Sequence, residues 1–362
     1  MKRKINRTAA FLLSHVALIP AAAMAQSNVT LYGIVDQSIR YTTNANAANN
    51  GKLELTNGAI TNSRWGLRGS EDLGSGMKAV FQLENGFDPD TGMANQNGSL
   101  FGRKAFVGLS TNAGTVKLGR QNTEGFNFFL EYDPLTIGNY NLNSWPFFLT
   151  RIRSNNVASY DAKFGSLGVG ASYGFGETPG SLTSNQYWGG RVTYDFGPAG
   201  VGLLYQEFRD TTGNRQQMWS VGTKYALNNA KLFLGYMGGR DRTGAIDNNY
   251  MNAASRGITV STTAAAANPR EDRIGYAGVT YRATPALALT GAFYFDSIGN
   301  KNGIADNSGK RYTVVALAEY ALSKRTQLYG TIDFNKVSGG AVTELPGKSN
   351  QLGVASGIRH IF

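Results

Sequence analysis

From residue 28 onward the chain repeats one rhythm: about ten residues in which apolar and polar side chains alternate, a short turn of Gly, Asn or Pro, a second alternating segment, then a longer polar connection. Tyr312, Val314, Ala316, Ala318, Tyr320 and Leu322 share one parity, against Arg311, Thr313 and Glu319 on the other. Leu328, Gly330, Ile332 and Phe334 stand in the same way against Thr331, Asp333 and Asn335, and Trp65 and Leu67 against Arg64 and Arg68. A period of two belongs to strands whose faces meet different surroundings.

Short turns fall at residues 72–76, 110–114, 163–166, 195–200, 227–230, 282–286 and 322–325. Longer polar connections fall at 43–59, 88–99, 122–153, 177–185, 210–214, 241–269, 299–308 and 338–347. Seven and eight connections predict sixteen strands with both ends on the short-turn side. The predicted fold is all-β: a 16-stranded antiparallel transmembrane β-barrel, its short turns periplasmic and its long loops extracellular, with apolar residues facing lipid and polar ones facing water. A sheet in hydrocarbon has to satisfy every backbone group internally, so the first strand, 28–42, is expected beside the last, 350–362. Tyr32, Tyr160, Tyr173, Tyr194, Tyr281 and Tyr329, near segment ends, are expected to form aromatic girdles at the membrane interfaces.

The N-terminal residues bear on compartment. Lys2, Arg3, Lys4 and Arg7 precede a mostly apolar stretch, 9–19, and Ala23-Met24-Ala25 precedes Gln26. That order is a secretory signal peptide over 1–25, cut between Ala25 and Gln26, with the barrel occupying 26–362. The competing reading, a short anchor helix, is interrupted by Ser14, His15 and Pro20 and falls short of the roughly 20 residues a spanning helix requires.

Composition narrows the chemistry. Of 35 basic and 24 acidic residues, the segment 1–25 carries four basic and no acidic ones, which leaves an excess of seven. The basic residues occur singly, which disfavours a nucleic-acid partner. Cysteine is absent and histidine is limited to His15 and His360, so thiol catalysis, a Cys or His metal site and most Ser-His-Asp arrangements are excluded. No catalytic residue, metal or cofactor is assigned; paired carboxylates alone are not excluded by counting.

Motifs then add a resemblance. Val29-Thr30-Leu31-Tyr32-Gly33 opens the first strand and Ser63-Arg64-Trp65-Gly66-Leu67-Arg68-Gly69-Ser70-Glu71-Asp72-Leu73-Gly74 the second. Phe101-Gly102-Arg103-Lys104-Ala105-Phe106-Val107-Gly108-Leu109, Gly119-Arg120-Gln121 and Arg151-Ile152-Arg153-Ser154-Asn155-Asn156 follow in order. Together they resemble the Gram-negative general porins of the trimeric sixteen-stranded class, closest to the family of Neisseria and Burkholderia-like bacteria. Phe362, with Ile358, Val354 and Leu352 on its parity, resembles the membrane-insertion signal of outer-membrane barrels, although His360 replaces the more usual aromatic.

The resemblance implies that the segment after Gln121 is a third loop folded inward to narrow the lumen, which suits its Phe126, Phe128, Phe129, Leu130, Trp145, Phe147 and Phe148. It implies a basic constriction wall of Arg64, Arg103 and Arg153, faced by Glu124, Glu131 and Asp133 of the loop; Arg68 and Arg120 are read as structural wall residues. It further implies an outer-membrane homotrimer in contact with lipid and lipopolysaccharide, inserted by the barrel-assembly machinery and passing small anions and hydrophilic solutes by diffusion. Three rivals stay open at this point. They are a substrate-specific porin of the same architecture, an outer-membrane barrel enzyme of phospholipase or protease type, and a secreted β-rich adhesin or lectin.

Overall fold

The computed structural model describes residues 28–138, 140, 143–249 and 259–362. The signal-peptide assignment and its cleavage pair, Ala25 and Gln26, lie outside the described residues. Seventeen strand segments form one closed antiparallel sheet. β1 (Asn28–Thr42) pairs on one side with β17 (Asn350–Ile361), and on the other with β2 (Lys52–Asn57) along its second half and β3 (Arg64–Gly74) along its first. β2 and β3 therefore make one interrupted stave, and the barrel has sixteen. The connection expected over 43–59 is accordingly shorter, since residues 52–57 already belong to the wall.

Between β2 and β3 the chain leaves the wall and dips into the lumen. Gly58 permits the departure: a Cβ there would lie 1.6 Å from Asp36 Oδ1, while its amide donates to the Asp36 carbonyl at 2.8 Å. The dip is pinned inside by Ala59 N to the Tyr329 hydroxyl at 3.1 Å and by Thr61 N to Asp36 Oδ2 at 2.9 Å.

The remaining staves run in sequence order, β4 (Met77–Gly86) through β16 (Thr326–Gly339), each hydrogen-bonded to the next. All seven expected short turns lie at one end. The alternation also holds: Val314, Ile332, Phe334 and Val354 are exposed on the outer face, whereas Arg311, Thr313, Asp333 and Asn335 are buried within. A belt of large exposed apolar side chains around a polar interior is the inverse of a water-soluble domain and suits a hydrocarbon exterior. Phe362 continues that outer face. Its ring covers Gly33, where a Cβ would come within 2.2 Å of it, and its backbone exchanges two 3.0 Å hydrogen bonds with Gly33.

Two of the tyrosines expected in the girdles face inward. Tyr32 donates to Glu84 at 2.8 Å and Tyr329 donates to Asp36 at 2.6 Å, because both share the parity of the polar residues on their strands. Tyr194 and Tyr281 are exposed on the outside.

The loops contain short helices that the strand rhythm does not announce: α1 (Glu124–Tyr132), α2 (Ala245–Asn249) and α3 (Thr262–Ala267). At the long-loop end a buried ionic network ties three connections together. Arg270 pairs with Asp247 of α2 at 2.7 Å and with Glu344 at 2.9 Å, and Glu344 also meets Arg311 at 3.1 Å and Lys301 at 3.2 Å. Burial alone raises the Glu344 carboxyl, yet the Lys301, Arg270 and Arg311 charges hold it down to about 2.

Candidate functional site

The lumen is narrowed by the described residues of 123–138 and 143–152, which lie against the inner wall. Thr123 caps α1 by accepting from Phe126 N at 3.2 Å. Two further amides of its first turn are taken by the wall: Glu124 N donates to the Tyr187 hydroxyl at 2.7 Å and Gly125 N to Gln206 at 2.8 Å. Helical spacing then sorts the apolar residues into two stripes. Phe128 and Tyr132, stacked with centroids 4.7 Å apart, and Phe129 are buried, while Phe126 and Leu130, also four residues apart, remain open to the lumen.

The buried stripe joins Trp145, Phe147 and Leu149 from the end of the loop in a core inside the barrel. The wall answers with inward-facing Met218, Met237, Ile274, Tyr276, Tyr294, Val315 and Leu317. Val315 and Leu317 are the places where β15 (Gly309–Ala321) abandons polar residues on its inner parity, and the loop is the reason. Trp145 Nε1 donates to Thr313 at 2.8 Å, and the Tyr140 hydroxyl lies 2.7 Å from that of Ser38, fastening the second half of the loop to the wall.

Arg64, Arg103 and Arg153 are brought together. With Lys104 and Arg359 they line one cavity of the lumen of about 480 Å³, on which Glu319 is the sole acidic lining residue among those described. They are close enough for their charges to act on one another. Arg103 Nε bonds Glu84 at 2.8 Å, and Arg64 Nε donates to the Asn62 carbonyl at 3.0 Å. Among the described residues Arg64, Lys104 and Arg153 form no ion pair, and the Arg153 guanidinium sits 5.7 Å from the Phe126 ring centroid. Arg103 precedes the first residue of β5 (Lys104–Thr111), so neighbours that strict alternation would separate both reach the lumen.

The three loop acids stand elsewhere. Glu124 pairs with Arg191 and accepts from Ser172 at 2.9 Å; Glu131 pairs with Lys224 towards the short-turn end. Asp133 is buried against β14 (Leu287–Gly299), accepting from the Tyr294 hydroxyl at 2.5 Å and from Ile137 N at 2.7 Å. None of the three lines the cavity of the arginines, because the loop turns its acidic positions to its own anchoring contacts. From the loop the same cavity receives Phe126, Leu130, Ile137 and Phe148 together with Thr136 and Ser144. Arg68 lies over the Tyr32 ring at 5.2 Å, and Arg120 donates to the Gly102 carbonyl at 2.7 Å, both in wall contacts.

Lys104, Arg359 and Glu84 escaped the sequence reading. Lys104 stands beside Arg103 in the motif and was the detectable one; Arg359 and Glu84 become neighbours of the cluster only through barrel closure and strand register.

A family model described as Gram-negative porin matches residues 9–340. The chain is 32% identical to outer membrane porin protein 32 of Delftia acidovorans, over 94% of this chain and 96% of that protein. It is 25% identical to major outer membrane protein P.IB of Neisseria meningitidis serogroup B, over 96% of this chain and 97% of that one. Among solved structures, the anion-selective porin from Comamonas acidovorans superposes with a TM-score of 0.74 at 26% identity, covering 93% of this chain and all of that one.

Proposed function

The chain belongs to the Gram-negative porin family and forms an outer-membrane channel for passive diffusion, and we propose that this channel prefers anions. The observation that carries the preference is the cavity lining: Arg64, Arg103, Lys104, Arg153 and Arg359 against Glu319 among the described residues, and with Arg103 paired to Glu84 and Arg359 to Glu319, the charges of Arg64, Lys104 and Arg153 are left over. A fixed positive field concentrates anions and repels cations where the path is narrowest, and guanidinium groups keep that field at any working pH. The similarity to a solved porin described as anion-selective supports the same reading.

The size of the effect follows from Coulomb's law. A unit charge about 6 Å from a permeating ion acts on it with about 0.7 kcal/mol at the dielectric of water. Losing one such charge weakens the anion and relieves the cation, a relative change of about 1.4 kcal/mol or about tenfold in permeability ratio, less at high salt. Arg64→Gln should therefore move the zero-current potential in a KCl gradient toward the cation side, and Arg64→Glu further. An unmoved potential in both variants would remove the assigned role.

The proposal extends to processing and assembly. Residues 1–25 are removed between Ala25 and Gln26, the barrel-assembly machinery reads the terminal Phe362, and the barrel works as a homotrimer set in lipid and lipopolysaccharide, with its long loops outside. The protein acts without cofactor or catalysis; His360, the histidine a hydrolase would recruit, is hydrogen-bonded to Thr326 at 2.9 Å beside the terminal strand.

A further inference from the structure

Besides the basic cluster, the same cavity is lined by Ile60, Phe126, Leu130, Ile137, Phe148 and Ile152, six large apolar side chains left partly or largely open to the lumen. A pore for inorganic ions has no use for wet hydrocarbon at its narrows, where a polar residue would do as well. Ile60, Ile137 and Phe148 rest on the edge of the buried core with part of their surface left open, whereas Phe126, Leu130 and Ile152 are not part of it. That core is filled by Phe128, Phe129, Trp145 and Phe147, whose rings are fully covered.

The backbone points the same way. Ile137 and Ile152 both lie in the left-handed region, with φ of 57° and 55°, each directly after a second residue held there, Thr136 at 54° and Arg151 at 51°. β-branched residues avoid that region, and such conformations persist only where surrounding structure holds them. The fold thus holds two isoleucines at unfavourable angles on the cavity that contains the arginines. Arg153, whose Nε has no hydrogen-bond partner among the described residues, sits beside Phe126, so the positive and apolar walls meet there.

Resting on the anion preference proposed above, we infer that the constriction is a binding site for carboxylates carrying an aromatic body. The carboxylate is received by Arg64, Lys104 and Arg153, none of which has an ion-pair partner among the described residues, and the ring lies on the face built from Phe126, Phe148 and the isoleucines. A small inorganic anion uses only the first half of this site. An uncharged or cationic aromatic compound uses only the second.

The test is blockade of KCl current through the intact channel in planar bilayers, with benzoate, acetate and benzylammonium as probes. Benzoate should reduce the current at a concentration about tenfold below that of acetate, as expected for partial burial of one ring, and benzylammonium should not match it. Phe126→Asn should bring benzoate to the level of acetate, and Phe148→Asn gives a second variant should the first fail to assemble. Equal potency of benzoate and acetate in the native channel overturns the inference, as does equal potency of benzoate and benzylammonium, or a benzoate preference that survives both variants. Those results leave the sign of the KCl zero-current potential untouched, so failure of this inference is distinguishable from failure of the anion preference.

Discussion

Asp133 is the point at which the third loop is most sensitive to pH. Its carboxyl is enclosed in the core inside the barrel, accepts from Tyr294 and Ile137 N, and has no cation bonded to it among the described residues. Burial pushes it up to about 7, only partly countered by those hydrogen bonds. A carboxyl raised in the folded state contributes stability fully below its ordinary value near 4, and that contribution is lost as pH rises through about 7. Ionising this carboxyl in place costs the folded loop about 4 kcal/mol relative to ionising it in water. The core of Phe129, Tyr132, Trp145 and Phe147 keeps the loop in place, so the effect should be confined to the turn after α1. Hydrogen exchange of the segment 133–138, corrected for intrinsic rates, should show protection falling between about pH 4 and 7 in the native channel and levelling off above that. Asp133→Asn keeps an acceptor oxygen and cannot ionise, so its profile should be flat. The same pH dependence in both proteins would refute the assignment of this carboxyl.

Other consequences concern the ends of the barrel. Glu344→Gln leaves Arg270, Lys301 and Arg311 short of a buried counter-charge, a loss of about 3–5 kcal/mol, and should make residues 242–249 and 340–349 susceptible to protease while the strands stay intact. Because the surrounding cations hold Glu344 at about 2, its stabilising pairing is complete above about pH 4 and lost only as pH falls through about 2, so native loops should remain resistant at pH 4. Phe362→Ser should reduce the folded, heat-modifiable fraction on a gel by uncovering Gly33 and loosening the seam between the first and last strands. The unheated native protein should migrate as a trimer that boiling converts to monomer; an unheated monomer would reject that assembly.

Strand number, turn positions and facing residues were legible because a two-residue period is a local property. The short-turn positions and the parity of β15 and β16 could be read from neighbouring residues alone. The same parity, applied strictly, would have placed Tyr32 and Tyr329 inside, and the girdle expectation overrode it. β2 was hidden because the dip at 58–63 reads as loop, and nothing local shows that the preceding six residues have already joined the wall. The arginine trio was legible through its motifs. The partners of Glu124, Glu131 and Asp133 were not, since they depend on how one loop seats against strand residues 67 to 161 positions away. The two stripes of α1 lie at plain helical spacing, Phe126 to Leu130 and Phe128 to Tyr132, and the signal was masked only by the prevailing strand pattern.

The central claim is that the narrowest part of a water-filled lumen carries an unbalanced positive lining. The most direct measurement is the zero-current potential of the native channel in a planar bilayer separating concentrated from dilute KCl. Chloride passing faster than potassium makes the dilute side negative, which is the result expected here; a dilute side at zero or positive would contradict it.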